Sequence, residues 1–155
     1  MRQLSGIDEK HLLTLLCRDL SELSQYAQVD NRQFRFLKEW TPGAYTFILP
    51  ATREVPRRLM HPSRKTVGLR VPEAPIVQAL LAELGVPLLC ASLILPGDEN
   101  PLSDPDDIED RIGKRIDLLV DGGAGQLEAT SVIDVTGDEP VIQRVGLGPV
   151  EAMLR

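Results

Sequence analysis

Aromatic residues and cysteine are scarce in this sequence. Only 4% of its 155 residues are aromatic, so a core has to be built mainly from Leu, Val, Ile and Ala. Cys17 and Cys90 are the only cysteines. Two are too few for a disulfide framework, and each lies in an apolar run, where a free thiol acts as a small hydrophobe. His11 and His61 stand apart from each other and from the cysteines, so no Cys/His cluster has metal-ligand spacing. No signal-peptide pattern opens the chain and no apolar run is long enough to cross a bilayer, which makes a cytoplasmic location the expectation. A Walker loop, a dinucleotide fingerprint, an HExxH pair and a Ser-His-Asp pattern are all missing.

A basic surplus is missing too. The formal net charge is −6 and the pI about 4.9, which argues against a surface that is all nucleic-acid footprint. The charge is unevenly spread, however. Arg53, Arg57, Arg58, Arg64, Lys65 and Arg70 share one stretch, and Asp98, Glu99, Asp104, Asp106, Asp107, Glu109 and Asp110 form a block of opposite sign. Two solvated segments account for this pattern; an anion-binding face at the basic stretch is the sharper alternative.

What is present is the alternation of strand-like and helix-like segments that marks an α/β or α+β domain. The length fits one domain over residues 1–155. Met1 to Lys10 reads as a loop. Strands are expected over His11–Cys17, Ala44–Leu49, Thr66–Arg70, Leu88–Leu93, Ile116–Asp121, Ser131–Val135 and Val141–Val145. Asp19 and Asp30 are placed to cap two helices, the second with Phe34, Leu37 and Trp40 on its apolar face. A short helix is expected within Thr52–Met60. A clearer one starts at Pro75, with Ile76, Ala79, Leu80 and Leu84 inward and Gly85 at its end. Ser103-Asp104-Pro105 opens another, its acidic first turn complementing the helix dipole.

Six phrases in order give the sequence a recognisable character. They are Trp40-Thr41-Pro42-Gly43-Ala44-Tyr45-Thr46-Phe47, Thr66 to Pro72 (TVGLRVP), Cys90-Ala91-Ser92-Leu93, Asp117 to Gly123 (DLLVDGG), Thr130-Ser131-Val132-Ile133-Asp134 and Arg144-Val145-Gly146. Together they resemble the YrdC/YciO family, the threonylcarbamoyl-AMP synthase fold, and the flavour is nearest the YciO branch. The resemblance implies a twisted mixed sheet flanked by helices. It also implies a chain that lacks the family's N-terminal strands, because the cation that should precede Arg2 by two residues would fall before Met1.

The resemblance further implies chemistry. The family joins L-threonine, bicarbonate and ATP into threonylcarbamoyl-AMP, the intermediate for the t6A modification of tRNA, with Mg²⁺ accompanying ATP. Such a reaction is mostly positioning and charge stabilisation. Arg70 matches the residue that holds the threonine carboxylate, a task suited to a planar guanidinium fork. Thr130 matches a serine near the threonine. Arg2, Thr66, Ser92 and Arg144 match nucleotide-contacting positions. Strand alternation would put Thr66 and Arg70 on one face. Ser92 replaces an Asn and Cys90 a Ser of the family pattern, so full synthase activity is not expected. No catalytic residue, protein-bound metal or tightly held cofactor is assigned. The alternatives are an RNA-binding module using a concave basic surface, and a truncated domain with no independent function. If the chain is shortened, translating the DNA upstream of the Met1 codon in frame should yield a strand and a cation; a nearby stop codon would exclude it.

Overall fold

Strands with one apolar and one more polar face dictate the architecture. The computed structural model describes residues 13–126 and 128–154, which fall into two compact units, residues 13–90 with 130–154, and residues 91–126 with 128–129. The first unit holds a six-stranded sheet made of β1 (Thr14–Leu16), β2 (Tyr45–Pro50), β3 (Thr66–Arg70), β4 (Leu88–Cys90), β5 (Ser131–Asp134) and β6 (Val141–Arg144). Their spatial order is β4-β1-β3-β2-β5-β6. The β1–β3 and β2–β5 pairs are parallel, and the β1–β4, β2–β3 and β5–β6 pairs are antiparallel. This is the mixed, helix-flanked sheet the sequence leads one to expect.

Alternation sorts the side chains. Leu15, Phe47, Leu49, Val67, Leu69 and Ile133 point to one face and are buried. Helices α1 (Leu20–Tyr26) and α2 (Asn31–Trp40) contribute Leu23 and Leu37 to the same core, and Ala27, the C-cap of α1, joins them. Asp19 caps α1 by accepting from the Glu22 N–H at 2.8 Å. Asp30 and Gln33 form a reciprocal capping box on α2. Gln33 also donates to the Val135 carbonyl at 2.7 Å, a buried bond that ties the helix to the end of β5. Burial pushes the Cys17 thiol up to about 12, with Glu22 and Asp19 adding to the effect, so this cysteine is a core residue. Four of the few aromatics, Phe36, Trp40, Tyr45 and Phe47, pack in a chain of tilted and edge-on contacts.

Several expectations need correction. On α2, Gln33 and Leu37 are buried and Phe36 packs on the core, while Phe34 is 42% exposed. The cap and the Gln33 bond rotate the helix away from the face that apolar spacing alone suggests. Helix α3 (Pro75–Leu84) buries Leu81, leaving Ile76, Leu80 and Leu84 exposed. It is apolar nearly all round, so periodicity singles out no face; Gln78, donating to the Pro72 carbonyl at 2.6 Å, fixes its rotation. Thr52–Met60 holds only a 3₁₀ turn, Arg57–Leu59. The strand expected to reach Leu93 ends at Cys90. His11 and the loop before it lie outside the described residues.

In the second unit, α4 (Pro105–Ile112) starts as expected: Asp104 accepts from the Asp106 N–H at 2.8 Å and Pro105 occupies the first turn. The strand expected over Ile116–Asp121 does not form. Leu118 and Val120 are exposed, and an apolar run without a ladder partner cannot become a strand. The turn at its end is real, with Asp121 accepting from the Gly123 N–H at 3.0 Å and Gly123 at φ +87°.

One close approach fastens the C-terminal loop of the first unit. Gly148 lies so near β2 that a Cβ there would sit 2.7 Å from Tyr45 Cδ1 and 2.8 Å from the Ala44 carbonyl oxygen. The Tyr45 hydroxyl donates to the Pro149 carbonyl at 2.7 Å. The buried Ser131 hydroxyl donates to the Gly148 carbonyl and accepts from the Gly146 N–H. Gly148→Ala should therefore destabilise the protein by about 1–3 kcal/mol, read as a lower urea midpoint with unchanged slope.

Candidate functional site

The face of the sheet opposite the core has a different chemistry. Thr66, Gly68 and Arg70 of β3 share it, because residues two apart point the same way. Thr14 pairs with Gly68 on one side and with Cys90 on the other. Ile48 of β2 pairs with Gly68. Continuing that antiparallel register by one step sets Thr46 across from Arg70. Thr46 pairs in turn with Val132, and Val132 with Arg144. A row thus crosses four strands from Arg70 through Thr46 and Val132 to Arg144, about 14 Å at the usual strand spacing.

Hydrogen bonds stitch the far end of this row together. The Thr46 and Thr130 hydroxyls are 2.8 Å apart. Arg144 donates to the Thr130 carbonyl from Nε at 3.0 Å and from Nη2 at 2.8 Å, and Nη2 lies 3.4 Å from the Thr130 hydroxyl. Arg144 itself is exposed. The contacts with Thr130 hold this exposed strand-end cation beside the threonine hydroxyl.

Arg70 is in the opposite situation. Among the described residues its Nε is the buried side-chain polar atom without a hydrogen-bond partner. Desolvation pulls the guanidinium below its ordinary range, while the Cys90 thiol works against that fall. Burial in turn pushes Cys90 up, against the influence of Arg70. A desolvated cation with an unused donor is costly unless an anion completes it. The Arg70 carbonyl, by contrast, is satisfied by the Cys17 N–H at 2.7 Å, so the strand end is fixed while the side chain is not.

The residues singled out by sequence divide accordingly. Arg70, Thr130 and Arg144 are brought onto one face. Thr66 shares it but is 6% exposed and lies at the other end of β3, about 13 Å away by strand rise. Its carbonyl accepts from the His61 N–H at 2.8 Å. Ser92 is exposed and belongs to the second unit, and its carbonyl accepts from Ile94 N–H at 3.1 Å. Arg2 lies outside the described residues. Sequence reasoning did not single out Thr46, Thr14 or Gly68. The available signal was a polar or minimal residue interrupting an apolar strand, as Thr46 does between Tyr45 and Phe47. Among the described residues no group of three or more His, Cys, Asp and Glu could hold a metal ion, and no helix is long and apolar enough to cross a membrane.

A mixed sheet with a helix-packed apolar face and an arginine–threonine face defines the class of this domain. Residues 1–146 match the Sua5/YciO/YrdC family, described as "Telomere recombination". The chain belongs to that family. It is 54% identical over 148 residues to the uncharacterized protein YciO of Escherichia coli (strain K12), covering 96% of this chain and 72% of that protein. It is 29% identical over 135 residues to the threonylcarbamoyl-AMP synthase of Serratia proteamaculans (strain 568), covering 84% and 70%. The crystal structure of E. coli YciO superposes with a TM-score of 0.92 at 52% identity, over 98% of this chain and 74% of that one. The P. abyssi Sua5 structure complexed with L-threonine gives 0.87 at 24% identity, over 98% and 45%, and shares the fold.

The Thr46–Thr130 pair is testable alone. Thr46→Val removes one hydroxyl and keeps the shape, and should cost about 1 kcal/mol of stability, measured by urea unfolding; no loss would show that the pair does not hold β2 to β5.

Proposed function

We propose that this chain is a YciO-type domain that binds L-threonine and ATP, related to the threonylcarbamoyl-AMP synthases and with weak or no synthesis of its own. The observation that carries this reading is the buried, unpartnered Nε of Arg70. A carboxylate offers two acceptor oxygens in the plane that a guanidinium fork requires. The P. abyssi relative complexed with L-threonine and the synthase relatives support an amino acid as the source of that carboxylate. Arg144 supplies the second cation of the row. Its Nε and Nη2 hold the Thr130 carbonyl, and among the described residues Nη1 makes no hydrogen bond, which leaves it for a phosphate oxygen. Mg²⁺ would arrive with ATP, bound to its phosphates. Weak or absent synthesis follows from Ser92 and Cys90, which depart from the family's Asn and Ser. A hydroxyl cannot replace the donor–acceptor pair of an amide.

Calorimetry with L-threonine, alone and with ATP and Mg²⁺, tests the reading. Arg70→Met should weaken L-threonine binding at least about tenfold while leaving the melting temperature unchanged or higher, because a half-buried cation with an unpartnered Nε is removed. Equal binding by wild type and variant would sink it.

One observation favours a second reading. Arg53, Arg57, Arg58, Arg64 and Lys65 are all exposed, and among the described residues none of them forms a salt bridge. A face that binds RNA through these cations should lose affinity steeply with salt. Replacing Arg57 and Arg58 by Gln should flatten that slope, as followed by fluorescence anisotropy with a labelled tRNA. A salt-independent or undetectable signal removes this reading.

A further inference from the structure

The second unit carries a cleft of its own, about 540 Å³ in volume. It is lined by α4, the 3₁₀ turn that follows (Gly113–Arg115) and the segment from Ile116 to Asp121. Ile116, Leu118 and Leu119 form its apolar wall, and Leu118 is 79% exposed. Four carboxylates stand around that wall, Asp106, Glu109, Asp117 and Asp121; among the described residues Lys114 is the only cation there. Part of this acidity has a local cause. Asp106 lies in the first turn of α4, where it suits the helix dipole, and Asp121 holds the Gly123 N–H. Glu109 and Asp117 serve neither purpose, and among the described residues none of the four forms a salt bridge. Carboxylates beside exposed leucine suit a group that is apolar along its stem and cationic at its tip, which describes an arginine side chain.

The first unit carries a surface of opposite shape and sign. The 3₁₀ turn Arg57–Leu59 is held from beneath by Val55, which is fully buried, and by Leu59 and Met60, which pack against the core. The Leu59 and Met60 N–H groups donate to the Pro56 and Arg57 carbonyls at 2.9 and 3.2 Å. Arg57 and Arg58 are exposed on this fixed turn. The next loop adds Arg64 and Lys65, both exposed, with Lys65 Nζ donating to the Pro62 carbonyl at 2.7 Å. A turn already ordered loses little entropy on docking.

We infer that the Arg57–Arg58 turn of one copy docks in the acidic cleft of a second copy. The guanidinium forks pair with Glu109 and Asp117, and their aliphatic stems cover Leu118. Charge complementarity selects this occupant. The net charge of −6 makes random encounters between copies repulsive, whereas turn into cleft joins opposite signs. Turn and cleft are different surfaces, so each copy offers one of each. The contact is head-to-tail, closing into a ring or growing into a chain. Exposed ion pairs are individually weak, so the association is reversible and sensitive to salt.

The test is the oligomeric state of the full chain, freed of nucleic acid so that RNA held by the same arginines cannot link copies. Sedimentation equilibrium over a concentration series, at about 0.02 M and about 0.5 M salt, reads it. Wild type should associate at the lower salt and be monomeric at the higher. Arg57→Glu with Arg58→Glu should abolish association, and so should Glu109→Lys with Asp117→Lys. All four positions are exposed, so both double variants should melt near the wild-type temperature. Mixed together, the two double variants should associate again, because each then meets the opposite sign at both surfaces; misfolded variants could not rescue each other. Leu118→Ser should weaken the wild-type association about threefold or more. A wild type that stays monomeric at low salt overturns the inference. So does a reversal of either surface that leaves association intact, or a mixture of the folded variants that stays monomeric.

Discussion

The antiparallel register between β2 and β3 is the constraint on which the structure rests. Phe47 faces Leu69 and Leu49 faces Val67, and all four are essentially inaccessible. The same register sends Gly68, Arg70, Ile48 and Thr46 to the opposite face. A slip by one residue would expose the core residues and turn the arginine toward the apolar, helix-covered face. Burial of four apolar side chains thus fixes, at no separate cost, which residues can meet a ligand. The helices reinforce the choice from the apolar side, α1 through Leu23 and α2 through Leu37 and the Gln33 bond to Val135.

The two arginines of the polar face are held by different physics. Arg144 is exposed and anchored by the Thr130 carbonyl, so water can solvate what the protein does not. Arg70 is desolvated and short of one partner. The first is a positioned charge of modest strength; the second is a cation whose environment improves when an anion arrives. In the proposed function, that difference would assign the phosphate to the exposed Arg144 and the carboxylate to the desolvated Arg70.

Much of this was legible in the sequence, and what was not has identifiable causes. Thr66–Arg70 reads as a strand because a β-branched residue, an apolar alternation and a following proline agree, and the strand has those bounds. Asp19, Asp30 and Asp104 announce their helices through cap chemistry that is local by nature. The faces of α2 and α3 were not legible, since single long-range bonds from Gln33 and Gln78 decide their rotation. The Ile116–Asp121 run looks like a strand in isolation, but pairing is a property of two segments. Arg70, Thr130 and Arg144 were visible only through resemblance to family phrases. Thr46 escaped because its significance lies in facing Arg70 across a register that no single strand encodes.

The clip that Tyr45, Ser131 and Gly148 form has a kinetic side. The Tyr45–Pro149 bond joins residues 104 apart in sequence, and β2 finds its parallel partner β5 only after some eighty residues have passed. Such closures are slow, because the chain must lose the entropy of a long loop before any contact rewards it. On a ribosome, β1, β2, β3 and β4 would be complete while β2 still waited with one edge unpaired. The arginine–threonine row would therefore be among the last features of the molecule to assemble, and until then an edge of an otherwise finished sheet would be open to the wrong neighbour.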